Sequence, residues 1–216
     1  HIAGRLGKRA RRLLGREKGH GMLSRGAIVR CTAMGLIDML ITLSVAVVIL
    51  TLGAPSLAHW MHGIDVRNSA SDLVVALQAA RTEAIARNQD VRVTLGDLQG
   101  RAVWALGCVT VTASCPRRLR GVDAPAARLA RWGATLAAGA PALSAPLQAG
   151  SRLPAQVTFN AFGAAPAIGI GTEVSRIDVS HAADPTAQRL VVLLGASGMV
   201  RLCDPTADAG EPWSCV

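Results

Sequence analysis

The chain has 216 residues, half of them hydrophobic and 17% charged, with a formal net charge of +9. That length leaves room for one membrane anchor and one modest domain. The charge does not describe a basic folded domain: residues 1–33 hold nine Arg or Lys against the single acid Glu17, a net +8, and the remainder is only +1. A domain so close to neutral has little long-range attraction for nucleic acid.

The basic residues, from Arg5 to Arg30, lie on one side of an apolar segment. Met39–Ala58 runs twenty residues without a charge. As a helix it spans about 30 Å, the thickness of a bilayer core. By the positive-inside rule, residues 1–33 stay cytoplasmic and the chain beyond Trp60 is exported. A secretory signal peptide is cut after a short apolar core. Here the run is longer and no Ala-x-Ala site follows it, so the segment reads as a retained anchor. One acid, Asp38, stands at its mouth. An unpaired carboxylate there costs several kcal/mol, which points to a paired or functional group. Gly53-Ala54-Pro55 interrupts the far end, where Pro bends a helix. His59, Trp60 and His62 follow at the expected outer interface. Both His read as interfacial and not as metal ligands.

After Gly63 the pattern turns amphipathic. Val66, Ala70, Leu73, Leu77, Ala80 and Ala84 recur at spacings of three and four, one helical stripe. The spacing predicts a helix over 66–87 that continues the anchor, with a Glu83–Arg87 pair one turn apart and Asn88-Gln89 at its end. The period then becomes two. Val91–Leu95 alternates, Gly96-Asp97 and Gln99-Gly100 supply a turn, and a second strand runs through Ala102–Thr112. Further strands are expected at Gln156–Phe159, Ile168–Ile170, Val174–Val179, Arg189–Leu194 and Met199–Cys203. Residues 116–152, rich in Ala, Pro, Gly and Arg, read as a variable loop. The expected class is α+β, a long N-terminal helix packed on a C-terminal antiparallel sheet domain. Its expected parts are a basic leader (1–33), a transmembrane helix (34–60), an amphipathic helix (61–90) and a periplasmic β-rich domain (91–216).

Of five cysteines, Cys31 lies in the leader. Cys108, Cys115, Cys203 and Cys215 form an even set in an exported domain, which suggests disulfides. Three pairings are possible, and Cys108–Cys115 with Cys203–Cys215 is favoured because both are local. The spacings lack the tight Cys-x2-Cys hairpins of zinc sites. No nucleophile elbow, His-Glu-x-x-His helix or phosphate loop is present, and no cofactor is expected. Gly169 and Gly171 stand in a Gly-Ile-Gly-Thr stretch without a third glycine, and His181 reads as a surface residue beside a turn. The chain therefore does not read as an enzyme.

The run Ala33-Met34-Gly35-Leu36-Ile37-Asp38 before the apolar helix resembles the N-terminal signal of type IV pilins and type II secretion pseudopilins. Three further segments are similar to the general secretion pathway protein H and FimT branch of that family: Asn68–Gln89, ending Arg-Thr-Glu-Ala-Ile-Ala-Arg-Asn-Gln; Phe159-Asn160-Ala161-Phe162-Gly163; and Gly198–Pro205. The resemblance covers most of residues 33–216. It implies cleavage by a prepilin peptidase between Ala33 and Met34, N-methylation of Met34, and assembly with other pilin or pseudopilin subunits from the inner membrane. It also gives Asp38 a role: pairing with the new amine of a neighbouring subunit. At about 4 Å and an effective dielectric near 20, that attraction is roughly 4 kcal/mol. Asp stands where the family usually has the longer Glu, and Ala33 where it usually has Gly. The chain begins at His1, and Met22 would give a twelve-residue leader closer to the family's, so residues 1–21 are expected to lie outside the natural protein. The FimT-like branch includes subunits linked to DNA uptake through a C-terminal Gly-Arg-x-Arg patch. Here the matching residues are Gly198, Met199, Val200 and Arg201, so one arginine remains, with Arg189, Arg117, Arg118 and Arg120 as possible helpers.

Overall fold

The computed structural model describes residues 35–122 and 129–215. The chain divides into two compact units, residues 1–45 and 46–216. In the first, the described residues are the opening turns of α1 (Leu36–Arg87). The Gly35 carbonyl accepts the backbone N–H groups of Asp38 at 2.9 Å and Met39 at 3.3 Å. Asp38 sits in the first helical turn, where a carboxylate complements the positive end of the helix dipole.

In the second unit α1 continues without interruption through Gly53-Ala54-Pro55 to Arg87. The helix is long and apolar enough to cross a membrane, with a window of mean hydropathy 2.4. Its apolar side chains before Val66, among them Val47, Leu50, Leu57 and Trp60, are exposed. From Val66 on, the stripe Val66, Ala70, Leu73, Leu77, Ala80 and Ala84 is wholly buried, as its spacing predicts. Burying the Val and Leu members contributes about 1.5–3 kcal/mol each. Asn88 ends the helix in the left-handed conformation (φ 51°), and the Gln89 N–H turns back to the Ala84 carbonyl at 3.2 Å.

Among the described residues eight strands form two four-stranded sheets. The first has the order β3-β2-β1-β5, from β1 (Val91–Leu98), β2 (Arg101–Cys108), β3 (Arg120–Val122) and β5 (Ala155–Phe159). The second has the order β4-β6-β7-β8, from β4 (Ala130–Leu136), β6 (Val174–His181), β7 (Leu190–Leu194) and β8 (Val200–Cys203). Every strand pairing within the two sheets is antiparallel. The helical stripe, Val91, Val93 and Leu95 of β1, Val157 and Phe159 of β5, and Trp132, Ile177 and Val192 of the second sheet make one core.

The structure departs from the sequence reading in six places, the first being Gly53-Ala54-Pro55, which does not interrupt α1 because its neighbours on both sides keep the helical conformation. Gly96-Asp97 belongs to β1, and the turn is Gln99-Gly100 alone, with φ of 55° and 77° at its two residues. That is the two-residue turn whose twist matches a hairpin. β2 stops at Cys108 and not at Thr112, because Cys108 already turns back toward Cys115. Residues 116–152 are not a featureless loop. They contain β3 and β4, and β4 pairs with β6 from Ala130↔His181 to Leu136↔Val174. Trp132 of β4 is buried, and its indole N–H donates to the Ser69 hydroxyl of α1 at 3.2 Å. Ile168–Ile170 is not a strand: a short helix α2 (Pro166–Gly169) starts on its proline. His181 is buried at 4% exposure, not on the surface.

Candidate functional site

Three segments of the second unit that carry the sequence pattern meet at one place. On α1, Arg81 and Ile85 are exposed. After β5, Asn160 organises a tight loop: its side-chain oxygen accepts the N–H groups of Phe162 and Ala164, each at 3.0 Å, and its backbone carbonyl accepts Gly163 at 2.8 Å. Between β7 and β8, the Gly198 N–H donates to the Gly195 carbonyl at 2.9 Å. Gly163 (φ 75°) and Gly198 (φ 78°) both adopt the left-handed conformation. They also touch. A Cβ on Gly198 would lie 1.9 Å from the Gly163 carbonyl oxygen, and one on Gly163 would lie 2.8 Å from Ile85 Cδ1 and 3.0 Å from Arg81 Nε. Backbone bars any side chain at Gly198, whereas one at Gly163 would have to push aside the ends of Ile85 and Arg81 and would strain the left-handed backbone.

This glycine contact seats the Arg81 side chain over both loops. The guanidinium borders an open cleft of about 280 Å³ lined by Gln78, Arg81, Ser197, Gly198, Met199 and Val200. Met199 in its lining is 57% exposed, and Phe162 of the Asn160–Gly163 loop is 88% exposed. Among the described residues Arg81 has no hydrogen-bond or ion-pair partner. A positioned guanidinium at an apolar rim suits a carboxylate, which it can bind through two parallel N–H groups.

A second arginine cluster is internal. Asp178 of β6 accepts Arg176 Nε at 2.7 Å and Nη2 at 2.9 Å, Arg189 Nη1 at 2.6 Å and the Leu147 N–H at 3.0 Å. The two guanidinium groups reach outward to the carbonyls of Pro141, Ala142, Leu143, Ser144 and Ala145. The network fixes the chain after β4 against the second sheet. Its Arg189 is therefore engaged with protein and not offered to a phosphate. Glu173 is a further buried acid, accepting the Thr158 N–H at 2.6 Å and hydroxyl at 2.7 Å. Neither arrangement has a local sequence signature, because the partners come together only when the sheets form.

The other predicted site residues are dispersed. Asp38 lies in the first unit, and Ala33 and Met34 lie outside the described residues. Cys108–Cys115 and Cys203–Cys215 are both bonded. Arg117, Arg118 and Arg120 are exposed before and within β3 at the edge of the first sheet, whereas Arg201 is on β8 at the edge of the second and donates to the Ser214 carbonyl at 2.8 Å. The structure does not gather these arginines onto one strand or one sheet. Asp204, next to Cys203, is desolvated, which alone would raise its pKa. Hydrogen bonds from Thr206 and Gln188 outweigh burial and hold it below the ordinary value. Among the described residues no group of His, Cys, Asp and Glu is arranged to hold a metal ion.

The family model of the type II transport protein GspH matches residues 69–198, more than half of the chain. The chain belongs to the GspH family. The match runs from the buried half of α1 to Gly198, so it includes Arg81 and the Asn160–Gly163 loop. Two crystal structures of the type IV minor pilin FimU from Pseudomonas aeruginosa are similar to this GspH-family chain. One is 18% identical with a TM-score of 0.44, covering 70% of this chain and 95% of that one. The other, in a different space group, is 17% identical with a TM-score of 0.42, covering 69% and 99%. No curated protein matches significantly. Family membership makes this GspH-type chain a structural subunit of the pilin and pseudopilin kind.

Proposed function

We propose that the chain is a minor pilin or pseudopilin, anchored in the bacterial inner membrane with its sheet domain in the periplasm. A prepilin peptidase cuts between Ala33 and Met34, Met34 is N-methylated, and the subunit joins a type II secretion pseudopilus or a type IV pilus. The observation that carries this reading is the first half of α1: exposed apolar side chains along its length, with a single acid, Asp38, in its first turn. An isolated carboxylate on such a helix needs a cation, and the amine of a newly processed neighbour supplies one. The Arg81 cleft is the second contact, taking a carboxylate of an adjacent subunit beside Met199.

The test is assembly of Asp38→Ala and Asp38→Glu in cells carrying the filament apparatus, read as the subunit content of sheared filaments. Loss with Ala and recovery with Glu is expected. Full assembly of Asp38→Ala would remove the basis of the proposal. DNA uptake is not the favoured function. Of its candidate contacts, Arg189 is held by Asp178 and Met199 stands where an arginine is expected.

A further inference from the structure

Three imidazoles gather where α1 meets the loop between β6 and β7. His59 and His62, three residues apart on α1, both place Nδ1 on Asp184 Oδ2, at 2.9 and 3.1 Å. Asp184 Oδ1 accepts the Thr186 N–H and hydroxyl, so the same carboxylate also closes its own loop. Behind His62 lies His181, the last residue of β6, with ring centroids 4.0 Å apart and planes at 19°. His181 Nδ1 accepts the Ala183 backbone N–H at 3.3 Å, which assigns the ring proton to Nε2. That Nε2 is buried without a hydrogen-bond partner among the described residues, and Asp65 Oδ2 stands 3.9 Å away. One turn further along α1, Arg67 donates to Gln188 of the same loop at 3.1 Å.

We propose that His181 is the trigger of an acid-sensitive clasp that ties the β6–β7 loop to residues 59–67 of α1. A second proton on His181 has to sit on Nδ1. There it meets the Ala183 N–H donor head on, and the bond that holds the ring to the loop is lost. The charged ring then lies face to face with His62, and a proton on His62 repels it further. Asp65 and Asp184 attract the charged ring and oppose this, as does a proton on His59 or His62, which strengthens the bond of that ring to Asp184. Ala130, which faces His181 across the β4–β6 ladder, is uncharged. Burial and the His62 charge outweigh the two carboxylates and keep the pKa of His181 below the ordinary value of 6.5. The sign follows. The opened loop binds the proton more readily than the closed one, so the clasp is intact above pH 6.5 and weakens as pH falls below it. Because Asp184 is the carboxylate shared by His59 and His62, opening the loop frees that stretch of helix as well. The inference rests on this geometry alone and does not depend on the assembly reading.

Hydrogen exchange of the full chain in detergent, at pH 7.5 and 5.5 with intrinsic rates corrected, tests it. One linked proton raises the opening equilibrium by up to about tenfold between those values. Loss of protection of that order is expected in peptides covering 182–188 and 59–67, and not in those covering β1 and β2. His181→Asn, which keeps an acceptor for Ala183 but does not titrate, should remove the pH dependence. Unchanged wild-type protection, or an equal loss in the variant, would overturn the proposal. If His181→Asn is open at both pH values, the wild-type His181 ring-carbon NMR titration decides. A midpoint coinciding with the exchange transition supports the clasp, and a separate midpoint refutes it.

Discussion

Asp178 offers the most demanding test of how the second sheet is held. It is 2% exposed, and it pairs with two arginines, one of which, Arg176, is equally buried. Replacing it with Ala removes four hydrogen bonds and leaves Arg176 charged in the interior. Breaking one side of a buried pair costs about 3–5 kcal/mol, because the surviving charge stays desolvated. For a unit of this size each kcal/mol moves Tm by about 2–4 °C, so Asp178→Ala should lower Tm by roughly 10 °C. Arg176 and Arg189 also hold the carbonyls of residues 141–145, so that segment should become the first site of limited proteolysis. The assay is thermal denaturation of the full chain in detergent, with protease mapping at 25 °C. As a control, Arg176→Met with Asp178→Leu removes the pair together and should cost clearly less than Asp178→Ala. A Tm change under 3 °C for Asp178→Ala, with the 141–147 segment still resistant, would refute the reasoning.

Arg81→Glu should leave Tm unchanged, since the guanidinium has no partner among the described residues, yet reduce incorporation into filaments; normal incorporation would exclude the cleft as a contact. Cys203→Ser with Cys215→Ser removes a twelve-residue closure, so the folded state should lose about 3 kcal/mol in chemical denaturation. The same loss should appear when wild type is compared with and without reductant, with the Cys108–Cys115 closure adding about 2.5 kcal/mol.

The parts of the fold that sequence made legible are those governed by local periodicity. The stripe from Val66 to Ala84 shows the helix face directly, and Val91-Arg92-Val93-Thr94-Leu95 shows the inward side of β1. β4 was not legible. Its Ala130-Arg131-Trp132-Gly133-Ala134 run has no clean alternation, because five of its seven positions are buried and both faces are covered. Its partner β6 lies some forty residues away, and only that pairing makes it a strand. Ile168–Ile170 failed for a different reason: a three-residue apolar run has no period, and Pro166 at the helix start decides the outcome. His181 looked like a turn residue because Asp184 and Pro185 follow, but the ring points back under His62. The candidate site was half legible. Gly163 and Gly198 stood out as members of family-like segments. That they meet, and that Arg81 is the side chain they seat, depends on three elements far apart in the chain.

The central claim is that this GspH-family chain is a processed pilin-type subunit, and the intact mass of the membrane-extracted protein tests it most directly. The measurement is made with and without a co-expressed prepilin peptidase. The account predicts a peptidase-dependent species that begins at Met34, carries one added methyl group, and is lighter by two hydrogens for each of its two disulfides. A chain that stays uncut in the presence of active peptidase would contradict it.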